Sequence, residues 1–88
     1  QTATMDGKSW QLTPSEYAIL SLLVARSDQA LSTETLLTEA LGAPPQLGNP
    51  QVVHTHIRNL RRKLEPDPAH PRHLCFIRRG YQWFSSPS

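Results

Sequence analysis

Apolar and polar residues alternate loosely at the start of the chain, settle into helical spacing over its middle and return to alternation near its end. The Asp6-Gly7 pair between two short runs is a tight-turn signal and predicts a hairpin with strands near residues 2–5 and 9–12. Thr13-Pro14-Ser15-Glu16 then joins a threonine cap, a proline at the first helical position and a glutamate at the third, a capping box that starts a helix. Tyr17, Ile19, Leu20, Leu22, Leu23 and Val24 spread over a wide face, as expected of a central core helix running to about Arg26. Ser27-Asp28-Gln29 breaks the pattern. Ser32 is placed to cap a second helix with Leu36, Leu37, Ala40 and Leu41 on one side, and Gly42 stops it.

Ala43-Pro44-Pro45-Gln46-Leu47-Gly48 cannot propagate a helix and reads as an exposed loop, the kind of segment that often carries contacts. Asn49-Pro50 repeats the cap-plus-proline signal and opens a third helix over residues 50–64. There Val53, Ile57, Leu60 and Leu64 fall at i, i+4, i+7 and i+11. Glu65-Pro66-Asp67-Pro68 ends it. His73-Leu74-Cys75-Phe76-Ile77, Arg79-Gly80 and Tyr81-Gln82-Trp83-Phe84 read as two strands joined by a tight turn, a hairpin over residues 73–84. Residues 1–84 thus form one domain, and residues 85–88 read as a disordered tail. There is no internal repeat.

The third helix changes what this skeleton implies. At about 100° per residue, Gln51, Thr55, Arg58 and Arg62 lie opposite the apolar stripe, with His54 and Arg61 on one flank and Asn59 on the other. Every one of these side chains forms hydrogen bonds. A helix of this length fits a DNA major groove, where arginine grips guanine or phosphate and asparagine and threonine meet base edges. A solvated, ordinarily charged helix face is the plainer reading of the same pattern. The hairpin shifts the balance, because Arg78 and Arg79 at its turn put cations at a protruding tip suited to a minor groove.

Charge supports the same half of the molecule. The net charge is only +2, but residues 51–88 carry seven Arg and Lys against two acids, a net +5, whereas residues 1–50 carry two against five, a net −3. A polyanion-binding surface is therefore expected from the C-terminal half. Eighty-eight residues with 38% apolar content and six aromatics hold one small core, without room for a large catalytic cleft. The one cysteine, Cys75, has no internal partner and suits a reducing cytoplasm. No apolar run approaches the ~18 residues of a spanning helix, and no signal-peptide pattern is present.

Leu12-Thr13-Pro14-Ser15-Glu16-Tyr17 resembles the L-T-P-x-E-[FY] start of the first helix in the OmpR/PhoB family of two-component response regulators. Val53 through Leu64 resembles that family's V-D-V-H-I-R-R-L-R-R-K-L recognition helix, and the likeness continues through Glu65-Pro66-Asp67-Pro68, Ile77-Arg78 and Gly80-Tyr81. The resemblance implies an α+β winged helix-turn-helix with short N-terminal antiparallel strands, three helices and a C-terminal β-hairpin wing. It implies base reading by His54, Thr55 and Asn59, phosphate contacts from Gln51, His56, Arg58 and Arg61, and Arg78 as the wing arginine at the minor groove; the polar face adds Arg62 to the phosphate contacts and the hairpin tip adds Arg79 to the wing. It further implies a loop at Pro44, Pro45, Gln46 and Leu47 that touches RNA polymerase, a phosphorelay receiver domain ahead of Gln1, and tandem dimers on direct repeats of double-stranded DNA. His54, Thr55, Asn59 and Gln51 depart from the family's acidic residue, valine, arginine and arginine, and Leu41 stands where tryptophan is usual. The operator is therefore not carried over.

Other chemistry is weakly supported. His54-Thr55-His56 tempts toward a metal, yet helix residues two apart point to different sides. Cys75 reads as a strand packing residue with no positioned base, and the seven acids are scattered, so neither a metal, a cofactor nor catalysis is expected. Trp10 and Trp83 read as packing residues. The alternative to DNA binding is a winged helix that docks on RNA polymerase or another protein without touching DNA, separable by salt dependence. An RNA-binding winged helix would need exposed aromatics for stacking, and the basic half has few.

Overall fold

A computed structural model of the chain describes residues 2–5, 8–42, 49–65, 67–77 and 80–84. The Asp6-Gly7 turn, the loop with Pro44, Pro45, Gln46 and Leu47, the wing residues Arg78 and Arg79, and the 85–88 tail lie outside the described residues.

Strands β1 (Thr2–Met5) and β2 (Lys8–Gln11) pair antiparallel, with Thr2 opposite Gln11 and Met5 opposite Lys8. β2 ends one residue earlier than the alternation suggests, because Leu12 leaves the strand and is buried in the core. Helix α1 (Pro14–Ala25) then starts on the expected capping box. The Glu16 amide donates to Thr13 Oγ1 at 3.2 Å and the Thr13 amide donates to Glu16 Oε1 at 3.0 Å. The helix buries Ile19, Leu20 and Leu23, while Tyr17 and Val24 remain exposed, so its core face is narrower than its apolar content implies.

A two-residue strand β3 (Leu31–Ser32) follows, which the sequence pattern does not announce. Ser32 also caps the second helix, α2, which is α-helical over Thr33–Thr35 and continues in wider π turns over Leu36–Ala40. The Leu41 amide accordingly donates to the Leu36 carbonyl, five residues back, at 3.3 Å. Thr38 Oγ1 donates to the carbonyls of Glu34 and Thr35, the kind of back-bonding that bends a helix. Gly42, at φ 70, ends the element in the left-handed conformation that costs glycine nothing.

Helix α3 (Pro50–Leu64) is capped by Asn49, whose side chain accepts from the Gln51 amide at 3.0 Å. Its stripe of Val53, Ile57, Leu60 and Leu64 is buried as expected, each side chain contributing about 2 kcal/mol of apolar burial. The chain closes with β4 (Leu74–Ile77) and β5 (Gly80–Trp83), and β5 is the middle strand of a three-stranded sheet ordered β3-β5-β4. Gly80 lies opposite Ser32, where a Cβ would sit 2.5 Å from the Leu31 carbonyl oxygen. Only glycine lets β3 approach.

One ion pair joins the two ends of this arrangement. Lys63, in the last turn of α3, donates from Nζ to Glu16 Oε1 at 2.6 Å and to the Gln11 carbonyl at 3.1 Å. Burial raises the pKa of the Glu16 carboxyl, but hydrogen bonds from Lys63 and Thr13 and the Lys63 charge outweigh it and hold the group below its ordinary 4.5. Its contribution is therefore present above about pH 4.5 and is lost as pH falls through the lower folded value. Glu16→Gln, which keeps an acceptor for Thr13 and loses the charge, is expected to cost about 1–2 kcal/mol at pH 7. In denaturation series at pH 7 and pH 3, that gap should close at the acid end; a constant gap would contradict the charge-based account.

Candidate nucleic-acid interface

Burying one face of α3 leaves the other to solvent, and Gln51, Thr55, Arg58 and Arg62 are all exposed there. The Thr55 hydroxyl donates back to the Gln51 carbonyl at 3.0 Å, which fixes its rotamer. Residues 50–64 hold no Asp or Glu. Arg61, Arg62 and Lys63 occupy the last turn, where the helix dipole favours cations. Among the described residues Arg58 and Arg62 form no ion pair, whereas Lys63 is committed to Glu16. His56 and Asn59 are half-buried on the flank that also carries Lys63.

The opposite flank is fastened to the hairpin. His54 Nδ1 lies 2.5 Å from the hydroxyl of buried Tyr81 on β5, with the two rings edge to face. Arg61 Nε donates to the Leu74 carbonyl at 3.0 Å, and its guanidinium sits 5.6 Å from the Tyr81 ring centre. Phe76 meets the same ring edge-on, yet is itself 58% exposed. Burial raises the pKa of the Tyr81 hydroxyl, with the Arg61 charge acting the other way, so it is a neutral phenol. His54 and Arg61 thus both face the hairpin strands and are half-buried.

A second fastening lies at the joint between α3 and β4. Glu65 is 5% exposed and accepts three backbone hydrogen bonds, from Arg72 at 2.9 Å, His73 at 2.9 Å and Leu74 at 2.7 Å. Next to it, buried His73 stacks on Trp83 and its Nδ1 lies 2.6 Å from the Phe84 carbonyl oxygen. Gln82 Nε2 donates to the Ser27 carbonyl at 2.9 Å and ties β5 to the end of α1. Sequence patterns place Glu65 only as a helix-ending residue and Tyr81 only as a strand residue. A buried acid just past a helix whose next partners are bare amides has no local signal.

Two other side chains bear on chemistry. The Cys75 thiol is half-buried and pushed up by desolvation and by the Glu65 charge, Arg61 opposing, which keeps it a poor nucleophile. Among the described residues no three His, Cys, Asp or Glu side chains gather to hold a metal ion, and no helix is long and apolar enough to cross a membrane.

A family model described as "Transcriptional regulatory protein, C terminal" matches residues 7–83. The chain is 37% identical over 81 residues to a probable transcriptional regulatory protein of Picosynechococcus, covering 91% of this chain and 32% of the relative. It is 40% identical over 68 residues to the DNA-binding dual master transcriptional regulator RpaA of Synechocystis, covering 77% and 28%. The chain thus spans about a third of the length of the curated relatives it matches. In structure it is similar to the C-terminal DNA-binding domain of RstA from Klebsiella pneumoniae, with a TM-score of 0.74 at 22% identity over 91% of this chain and 73% of that one. The DNA-binding domain of the response regulator AdeR, solved in complex with an intercistronic region, gives 0.76 at 22% identity over 93% and 83%. These likenesses show a winged-helix fold.

Removing the carboxylate of Glu65 leaves three amides without their acceptor. Glu65→Ala is therefore expected to cost about 2–4 kcal/mol and to speed amide exchange at His73 and Leu74 more than in α1. A loss under about 0.5 kcal/mol, or unchanged exchange at those two amides, would show that the joint is held by something else.

Proposed function

We propose, on the premise that this chain belongs to the family of transcriptional regulatory protein C-terminal domains, of OmpR/PhoB type, that it binds double-stranded DNA sequence-specifically as the output domain of a two-component regulator. The observation that carries the reading is the exposed face of α3, where Gln51, Thr55, Arg58 and Arg62 stand opposite the buried stripe with no acid among them. With α3 in the major groove, Arg58 and Arg62 reach phosphate, together with Gln51, His56 and Arg61, while His54, Thr55 and Asn59 meet base edges. Arg78 and Arg79 supply the wing at the minor groove. The domain works as a binding module rather than a catalyst.

The wider setting follows the same reading. A receiver domain ahead of this segment carries the phosphorelay signal, the regulator acts in the cytoplasm, and the loop of Pro44, Pro45, Gln46 and Leu47 touches RNA polymerase. Two copies lie head-to-tail on direct repeats about one helical turn apart, since one small domain covers little DNA surface.

Arg58 and Asn59 separate positioning from reading. Arg58→Ala is expected to weaken binding to all duplexes alike and to lower the slope of log K against log salt by roughly one. Asn59→Ala is expected to cost roughly 1–3 kcal/mol on the preferred site and little on scrambled DNA. Anisotropy titrations at several salt concentrations check both. Unchanged affinity in both variants would remove α3 from the interface, and salt-independent binding to polymerase without DNA binding would favour the protein-docking alternative.

Footprinting tests the arrangement. Protection should cover two direct half-sites, and a lone half-site should bind more weakly than the pair; strict inverted repeats would contradict the head-to-tail model.

A further inference from the structure

We propose that Tyr81 is the positioning residue for His54: its hydroxyl donates to Nδ1, fixing the ring in the tautomer that carries its proton on Nε2, so that His54 reads acceptor-bearing base edges, guanine above all. The inference rests on the DNA-binding reading and names what that surface recognises at one position.

The geometry is specific. The Tyr81 hydroxyl and His54 Nδ1 are 2.5 Å apart across 27 residues of sequence, and the rings stand edge to face at 64°. The Tyr81 ring cannot swing away, being buried and flanked by Phe76 at 5.2 Å and the Arg61 guanidinium at 5.6 Å. A neutral phenol is a strong donor and a poor acceptor, because its oxygen lone pair is drawn into the ring, whereas an unprotonated imidazole nitrogen is a strong acceptor. The hydrogen therefore sits on the tyrosine oxygen and points at Nδ1. Which ring nitrogen of a histidine is protonated is set by the bond the other makes, so Nε2 becomes a donor. In the major groove guanine offers two acceptors, N7 and O6, while cytosine offers only a donor there. Without Tyr81 the ring would lose its anchor at Nδ1 and turn about its side-chain bonds as well as exchange tautomers, blurring that preference.

The test has two arms on the same chain. Nitrogen-15 NMR of the histidine rings at pH 8 should show His54 of the free protein protonated on Nε2 and bare on Nδ1, and Tyr81→Phe should give averaged tautomers. Tyr81→Phe keeps the ring that packs on Phe76 and Arg61, and an unchanged backbone amide spectrum elsewhere checks its fold. The second arm uses a duplex selected from a random pool, with each guanine replaced singly by 7-deazaguanine, which lacks N7, or 2-aminopurine, which lacks O6. At one position the replacement should weaken wild type roughly ten-fold and His54→Ala or Tyr81→Phe less than about two-fold. A proton on Nδ1, an equal penalty in wild type and Tyr81→Phe, or no guanine that matters would overturn the inference while leaving DNA binding standing. Failure to bind selected and scrambled duplexes alike would overturn the DNA-binding reading and this inference with it.

Discussion

Three backbone amides at the start of the last hairpin converge on the buried carboxylate of Glu65, and the placement of that hairpin against α3 depends on this convergence. A buried carboxylate is costly unless its oxygens are satisfied. Here the chain satisfies them by turning back over the end of α3, so the carboxylate and the direction of β4 fix each other. Arg61 and His54 extend the fastening along the helix, to the Leu74 carbonyl and the Tyr81 hydroxyl. Helix α3 and the strands β4 and β5 are therefore fastened to each other at Glu65, Arg61 and His54.

The same constraint sorts the basic residues. The C-terminal half is strongly cationic by composition, but not every cation faces outward. Lys63 is drawn to Glu16 and Gln11 at the far end of the helix, and Arg61 is drawn to the wing. Arg58 and Arg62 remain on the exposed face of α3. Charge engaged within the fold and charge left facing solvent are thus divided by position on one helix. Lys63 and Arg61, although they belong to the basic run, are expected to affect stability as well as binding.

What the sequence revealed follows from the range of each signal. Capping boxes, prolines at helix starts and the period of apolar residues are local, and they located α1 and α3 to within a residue or two. β3 escaped notice because two residues carry no period and its pairing lies with Tyr81 and Gly80, some fifty residues on. The π turns of Leu36–Ala40 depend on how Thr38 bonds to the preceding turn, which composition does not encode. The face of α1 looked wide because Tyr17 and Val24 are apolar, yet the small core had no room for them. On the site, the exposed quartet of α3 was readable from the stripe alone. The roles of Glu65 and Tyr81 were not, since each joins residues distant in the chain or lacking side-chain character.

We propose that the outward face of α3 and the adjoining hairpin meet DNA while the rest of the domain supports them. Titration of nitrogen-15-labelled protein with a short duplex, followed residue by residue by amide and side-chain shifts, addresses it directly. The largest changes are expected on Gln51, Thr55, Arg58, Asn59 and Arg62 and on the hairpin beside them, with α1 little moved. Changes centred on the exposed Tyr17 and Val24 side of α1, or no saturable change with any duplex, would contradict it.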